Sequence, residues 1–337
     1  MSENLFSLMR LRFAIIFLMT ATPAFAQTAG YDPLQNDRSS RPPPLDLVVL
    51  DAQRQREIPL RIYLPASTAP APVVLFSHGL GGTREGNPYL GEHWSARGYV
   101  VVVMQHHCSD DAVWKGVDAQ RRMASLKRAA SIENALLRFK DVSVVIDQLE
   151  KWQNAGDSAE SSLLLGRIDL NRIGMSGHSF GAVTTQAVSG QRTLRGEAGF
   201  TDTRIKAALI MSPSAPRFGD PKAAFAAVSI PWLLMTGTHD VFAVGDADMA
   251  SRLAVFPSLP NGGKYELVLD GAEHNAFGDR ALPGETLPRK PNHHRVILAL
   301  STAFWDAWLC DNVGARAWLD GSGASSVLEA GDRWQRK

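Results

Sequence analysis

The sequence predicts an α/β protein: a doubly wound, mostly parallel sheet whose first two strands form an antiparallel hairpin. Three observations carry this reading. Short runs rich in β-branched residues alternate with segments of helical periodicity, several of those runs are apolar throughout, and the first two have no helix between them. A strand without polar alternation suits a position covered on both faces, as in a parallel sheet flanked by helices. Regular strand–helix alternation then gives the doubly wound arrangement.

The elements follow in chain order. Arg10 and Arg12 precede an apolar stretch from Phe13 to Met19, and Ala24 and Ala26 make an A-x-A exit. Residues 1–26 therefore read as a secretory signal peptide cleaved after Ala26. The apolar stretch is shorter than the roughly 20 residues a membrane-spanning helix needs. The expectation is an exported protein, periplasmic or secreted, with no transmembrane anchor once the signal is removed; an uncleaved anchor is the alternative. Residues 27–43 are polar and proline-rich and read as a flexible lead-in. The main domain spans 44–312, with strands expected at 45–50, 59–64, 72–77, 99–104, 172–176, 205–212, 231–237 and 265–270. Helices are expected at 134–152, where Leu136, Val142, Val145, Ile146 and Leu149 recur at helical spacing, after Ser179, and at 295–309. A segment at about 108–132 reads as a cap over a pocket, with Trp114 and Met123 as apolar wall residues. Residues 313–337 form a polar C-terminal extension, read as a surface helix or loop packed by Trp318 and Trp334.

Charge narrows the partners. The chain has 35 basic and 34 acidic residues, and removing residues 1–26 takes Arg10, Arg12 and Glu3, which leaves it formally neutral. No overall basic field draws in nucleic acid or an anionic membrane, so no nucleic-acid partner is expected. The cluster Arg121, Arg122, Lys127 and Arg128 reads as a solvated helix face. Cys108 and Cys310 do not make a disulfide framework; a single bridge and two separate thiols both remain open.

The chemistry starts at "RIGMSGHSFGAV". A serine stands between Gly177 and Gly181, after a strand and before a helix, the G-x-S-x-G pattern of a nucleophile elbow. The bend brings the residues two before and two after the serine together, where side chains would clash, hence the glycines. The helix start adds partial positive charge for an oxyanion. A serine hydroxyl needs a base, and the base needs an orienting acid. Downstream lie His239, His274, His293 and His294. His274 follows the strand "YELVLD" in a loop, the place for a base; His293 and His294, in "KPNHHR", read as surface or capping residues. Asp240 ends "PWLLMTGTHD" just after a strand and is the candidate acid, with Asp246 as rival; Glu273, next to the base in sequence, points elsewhere. Two backbone donors complete the set. One is the amide of Phe180, the other that of Leu80 in "VVLFSHGLGGTREG", whose glycines allow close approach. His78 is expected to order this loop, and His178 to face away from the nucleophile and to pack or hydrogen-bond structurally. "QHHCSDD" matches no zinc spacing, and no phosphate loop or dinucleotide fingerprint is present, so neither metal nor cofactor is expected.

"SHGLGG" together with "GHSFG" resembles the platelet-activating-factor acetylhydrolase and dienelactone-hydrolase-like branch of the α/β-hydrolase superfamily. "GYVVVVMQHHCSDDAVW" and "IPWLLMTGTHDVFAV" fit that branch. The stretch from "SPSAPRFGD" to "HDVFAV" is also similar to bacterial secreted polyester hydrolases, which are cutinase-like. Coverage runs from about Leu45 to Leu309. The resemblance implies an α/β-hydrolase fold over the 44–312 catalytic domain and a metal-independent serine ester hydrolase with an acyl-enzyme at Ser179 and donors at Leu80 and Phe180. There are departures. Mammalian acetylhydrolases place the acid after the strand that follows the nucleophile helix, but here that strand ends "LIMSPSAP". The acid falls one strand later, at Asp240, as in dienelactone and polyester hydrolases. Dienelactone hydrolases proper use cysteine as nucleophile. Polyester hydrolases often carry a stacking tryptophan where Arg217 and Phe218 stand here. The expected function is hydrolysis of short-chain acyl esters, on a small-molecule or lipid-like substrate. A polyester or lipase-type hydrolase is the alternative, and a non-catalytic ligand-binding protein on the same scaffold is the alternative of another class.

Overall fold

The computed structural model describes residues 30–36, 41–155, 157–159, 161–193, 196–197, 199–242, 244–245, 247–279 and 285–337. The signal peptide expected at 1–26 and the rival acid Asp246 lie outside the described residues. The strands are β1 (Leu45–Asp51), β2 (Arg56–Tyr63), β3 (Ala71–Ser77), β4 (Val100–Met104), β5 (Ile168–His178), β6 (Ile205–Met211), β7 (Trp232–His239), β8 (Lys264–Glu273) and β9 (Arg333–Arg336). The helices are α1 (Pro88–Arg97), α2 (Ala119–Ala129), α3 (Ile132–Asn154), α4 (Phe180–Val188), α5 (Pro221–Phe225), α6 (Met249–Leu253), α7 (Val255–Ser258), α8 (Pro291–Leu309), α9 (Val313–Asp320) and α10 (Ser322–Ser325).

All described strands join one sheet in the order β1-β2-β4-β3-β5-β6-β7-β8-β9. β1 and β2 form the antiparallel hairpin, and β2 runs antiparallel to β4. From β4 through β8 every pairing is parallel. This is the doubly wound, mostly parallel α/β sheet that the apolar runs predict. β3 shows why its sequence lacks alternation. Val73 and Leu75 pack with Val142, Val145 and Ile146 of α3 on one face, while Val74 and Phe76 join Trp94 of α1 and Trp305 of α8 on the other. A strand with two apolar cores to fill has no polar face to spare. Ala182 of α4 and Phe225 of α5 close a third cluster over β6 and β7.

Several elements differ from the sequence reading: the short helices α5, α6 and α7 are absent from it, and three further differences bear on the sheet and its cover. Helix α1 was not predicted: "PYLGEHWSAR" carries an internal glycine and shows little apolar periodicity, yet Leu90 and Trp94 are buried. β5 begins four residues earlier than the apolar run, because Ile168 pairs with Ala71 across a register shift. The tail is not only a surface helix or loop: after α9 and α10 it adds β9, antiparallel on the edge of β8. Its tryptophans do pack, Trp334 stacking on Tyr265 at 5.6 Å and Trp318 meeting Tyr31 edge-on at 6.2 Å. Arg121, Arg122, Lys127 and Arg128 lie exposed on α2. Cys108 and Cys310 are two free, exposed thiols, not a bridge.

Candidate active site

The turn between β5 and α4 places Ser179 where the parallel strands end. Ser179 takes φ 58° and ψ −113°, a backbone conformation that costs a non-glycine residue on the order of 1–3 kcal/mol. The flanking glycines make it fit. A Cβ at Gly177 would lie 2.3 Å from the Gly181 carbonyl oxygen, and a Cβ at Gly181 would lie 1.9 Å from the Ser77 carbonyl oxygen. Both are far inside contact distance, so no side chain fits at either position. The reason is proximity of backbone, since neither glycine is among those with positive φ.

His274 opens the turn that follows β8, and its Nε2 stands 2.8 Å from Ser179 Oγ. Its Nδ1 stands 2.6 Å from Oδ1 of Asp240 at the end of β7. A carboxylate only accepts, so Nδ1 carries the proton and Nε2 is the acceptor facing the serine hydroxyl. Asp240 is wholly buried. Burial alone would raise its pKa, but the hydrogen bond from His274 and the Arg252 guanidinium beside it outweigh this and bring it down to about 2. Thr236 Oγ1 donates to the other carboxylate oxygen at 2.8 Å. The carboxylate thus stays ionised and fixed in orientation. The imidazole is held on both sides, by Phe242 stacked at 4.8 Å and His178 tilted at 4.7 Å.

Two residues of this cluster escape the sequence reading. Arg252, from α6, sits 3.0 Å from Asp240 Oδ1 and donates to the carbonyls of Asp240, Ser212 and Pro213. Thr236 is the second. His178 makes the structural hydrogen bond expected of it, donating from Nε2 to the His274 carbonyl at 2.9 Å, but its ring lies beside the imidazole instead of facing away. Burial, with His274 and the Arg252 guanidinium close by, pushes its pKa down to about 3, so it serves as a neutral donor. Nothing local in "MASRL" or "LMTG" marks Arg252 or Thr236; only the meeting of β7, β8 and α6 does.

The other candidates are placed elsewhere. Glu273 accepts from the Thr286 amide and hydroxyl and from the Leu287 amide, so it anchors a loop and turns from the imidazole. His293 is buried, not on the surface, with Nε2 on the Asp270 carbonyl at 3.0 Å, and His294 stacks on Tyr89 at 4.1 Å. His239 is exposed at the end of β7.

Ser179 and His274 open into a cleft of about 780 Å³. Its walls are mostly apolar, with Leu80, Phe180, Val183, Ala215, Phe242 and Ile132 among the lining residues. Leu80 and Phe180, the two expected donors, thus stand beside the nucleophile. Among the described residues no acceptor engages the amide hydrogen of either. The 108–132 segment reaches the cleft through Ala130 and then Ile132. Trp114 and Met123 do not line it, contrary to expectation. Trp114 donates from Nε1 to the Gly81 carbonyl at 2.8 Å, so the indole braces the glycine loop, and Met123 is exposed on α2. Arg217 lines the cleft and Phe218 is exposed.

Behind the glycine loop lies a sealed polar network. His106 Nδ1 meets Asp141 at 2.9 Å and its Nε2 meets Ser77 Oγ at 2.9 Å, with all three residues fully buried. His78 orders the loop as expected: its Nδ1 donates to the Gly79 carbonyl at 2.6 Å while its Nε2 accepts from the His106 amide at 3.0 Å. The motif "QHHCSDD" feeds this network. Among the described residues no group of three or more His, Cys, Asp or Glu is arranged to hold a metal ion.

A serine on a strand-to-helix bend, above a mostly parallel sheet with helices on both faces, defines the α/β-hydrolase fold class. The family model of platelet-activating factor acetylhydrolase, isoform II, matches residues 63–124. That stretch covers β3, the loop with Leu80, α1, β4 and the start of α2, and it ends before Ser179. No curated protein matches the chain. The match supports a hydrolase of the platelet-activating-factor acetylhydrolase type acting on lipid or other small ester substrates; the dienelactone and cutinase-like branches gain no support from it.

Proposed function

We propose that the chain is a serine carboxylic-ester hydrolase that works through an acyl-enzyme on short-chain acyl esters. The observation that carries this reading is the hydrogen-bonded line from Ser179 Oγ through His274 to Asp240, ending on an open apolar cleft. His274 takes the hydroxyl proton as Ser179 Oγ attacks the ester carbonyl. The Leu80 and Phe180 amides hold the oxyanion that forms. Collapse expels the alcohol, which takes the proton from His274, and water then repeats the sequence to release the acid. Asp240 stabilises the imidazolium in both halves. Residues 1–26 support export of the enzyme to the periplasm or medium.

The size of the cleft favours one second reading, a lipase-type preference for longer acyl chains, because pockets of about 300–1,000 Å³ enclose drug-sized ligands. Hydrolysis of a p-nitrophenyl ester series from acetate to dodecanoate separates the two. A maximum at two to four carbons supports the first reading and a maximum beyond eight the second. A fluorophosphonate should label wild type at Ser179 and leave Ser179→Ala unlabelled. Wild type that stays unlabelled, with no turnover of any ester, would overturn both readings and point to a non-catalytic binder.

A further inference from the structure

We propose that Arg138 is the positioning residue of the oxyanion site, fixing the Leu80 amide through the carbonyl at the other end of the same peptide unit. The inference rests on the hydrolase reading above. Arg138 lies in α3 and is 0% exposed. Its Nη1 donates to the His78 carbonyl at 2.7 Å, its Nη2 reaches the Gly79 carbonyl at 3.4 Å, and its Nε donates to Ser109 Oγ at 2.9 Å. The face of the guanidinium covers the Phe180 ring, 4.4 Å from Cζ to the centroid. One buried side chain therefore touches both segments whose amides are proposed to hold the oxyanion.

The Gly79 carbonyl and the Leu80 N–H belong to one planar group. In a trans peptide the two point in opposite directions. The carbonyl is gripped by His78 Nδ1 at 2.6 Å, the Gly82 amide at 3.1 Å and Arg138 at 3.4 Å. Three donors on the core side leave the N–H directed away from the core, where Leu80 lines the cleft beside Ser179. Hydrogen bonds to a carbonyl also polarise its peptide and make the N–H a stronger donor. A donor clamped before the substrate arrives needs no reorganisation when the oxyanion forms.

The rest of the network serves this grip. His78 can donate from Nδ1 because its Nε2 already accepts from the His106 amide. A buried guanidinium is costly unless paired, and Asp141 and Asp110 supply the opposing charge. Burial draws the Arg138 pKa down to about 9 against those carboxylates, so it remains a cation at neutral pH. A core that needed only packing would take a leucine here, as the flanking face of α3 does with Val142, Val145 and Ile146.

The test uses the full chain, p-nitrophenyl butyrate, and an alkyl trifluoromethyl ketone. In the adduct Ser179 Oγ bonds to the ketone carbon, the serine proton passes to His274, and the ketone oxygen becomes the oxyanion. Arg138→Met is expected to lower kcat by about 10- to 100-fold, to leave KM within about threefold, and to weaken the ketone by the same factor as kcat. Arg138→Lys, a cation without the fork, should fall between. A residue with a merely structural role would lower the melting temperature without moving the ratio of ketone affinity to KM. Folded Arg138→Met with kcat and ketone affinity within about threefold of wild type overturns the proposal, as does a loss carried by KM. If Arg138→Met does not fold, Arg138→Lys is judged by the same criteria. Failure of the hydrolase reading looks different, since the ketone would then not bind wild type at all.

Discussion

The molecule contains two Ser–His–Asp lines with nearly the same distances. In one, Ser179, His274 and Asp240 are joined at 2.8 and 2.6 Å; in the other, Ser77, His106 and Asp141 are joined at 2.9 and 2.9 Å. Their surroundings differ. Ser179 faces a cleft of about 780 Å³ that Leu80 and Phe180 also line. Ser77 is fully buried, and its hydroxyl is also approached by Arg138 Nη1 at 3.4 Å. Hydrogen-bond geometry within three side chains therefore does not define an active site. Access for a carbonyl and free donors for the charge it develops do. The two lines are close, since the Ser77 carbonyl is what a side chain at Gly181, two residues past Ser179, would strike. The sealed line forms the floor on which the open one stands.

The sharpest way to break this comparison is to remove each serine hydroxyl. Ser179→Ala should lower kcat on p-nitrophenyl butyrate by roughly 10⁴-fold or more, while Ser77→Ala should keep kcat within about tenfold and lose about 1–3 kcal/mol of stability in urea unfolding. Comparable losses of kcat in the two variants would remove the distinction. The acids should divide in the same way. Asp240→Asn, which disturbs the tautomer of His274, should cost about 10³- to 10⁴-fold in kcat. Asp141→Asn leaves Arg56, Arg54 and His106 facing a weakened acceptor, and a loss of about 3–5 kcal/mol of stability is expected, read from denaturant midpoints.

The smallest effect is in pH dependence. Burial, reinforced by Arg138, brings the His106 pKa down to about 4, although Asp141 opposes this. The unfolded chain binds that proton near pH 6.5 and the folded chain only near pH 4. Between those values the unfolded state holds more protons, so stability falls as pH drops through this window. His178, with its pKa near 3, adds a second term of the same sign. The melting temperature should therefore decline from about pH 6.5 downward, well before carboxylates protonate. Replacing His106 by Gln should flatten that decline, at the cost of a lower plateau. A melting temperature level from pH 7 to pH 4 in wild type would count against neutral buried imidazoles.

Much of the fold was legible in the chain. Apolar runs at 72–77, 99–104 and 205–212 reported strands with two covered faces, and the absence of a helix between the first two strands reported the hairpin. The elbow was legible too, because Gly177 answers a contact with Gly181 four residues on, although Gly181 itself answers the Ser77 carbonyl of β3, a contact no local pattern records. Helix α1 was hidden by Gly91, whose lack of a side chain makes room for the Tyr63 ring at a distance a Cβ could not tolerate. Trp114 braces the glycine loop instead of walling the cleft, because its indole N–H turns toward the Gly81 carbonyl, a partner that lies 33 residues away and leaves no local pattern.

What the sequence by itself determined is whatever a local pattern can encode: the burial of each strand, the sharp bend at Ser179, and the short roster of histidines and carboxylates downstream. What the tertiary structure alone decided is which of them meet. His274 reaches Ser179 across 95 residues and Asp240 across 34, and Arg138 grips the His78 carbonyl across 60. Such contacts depend on how strands are ordered and how helices lie against them, and no periodicity of 2 or 3.6 records that. For the same reason Arg252 and the edge strand β9 appeared only when the chain was folded: each is ordinary in its own neighbourhood and acquires its role from a partner brought to it by the sheet.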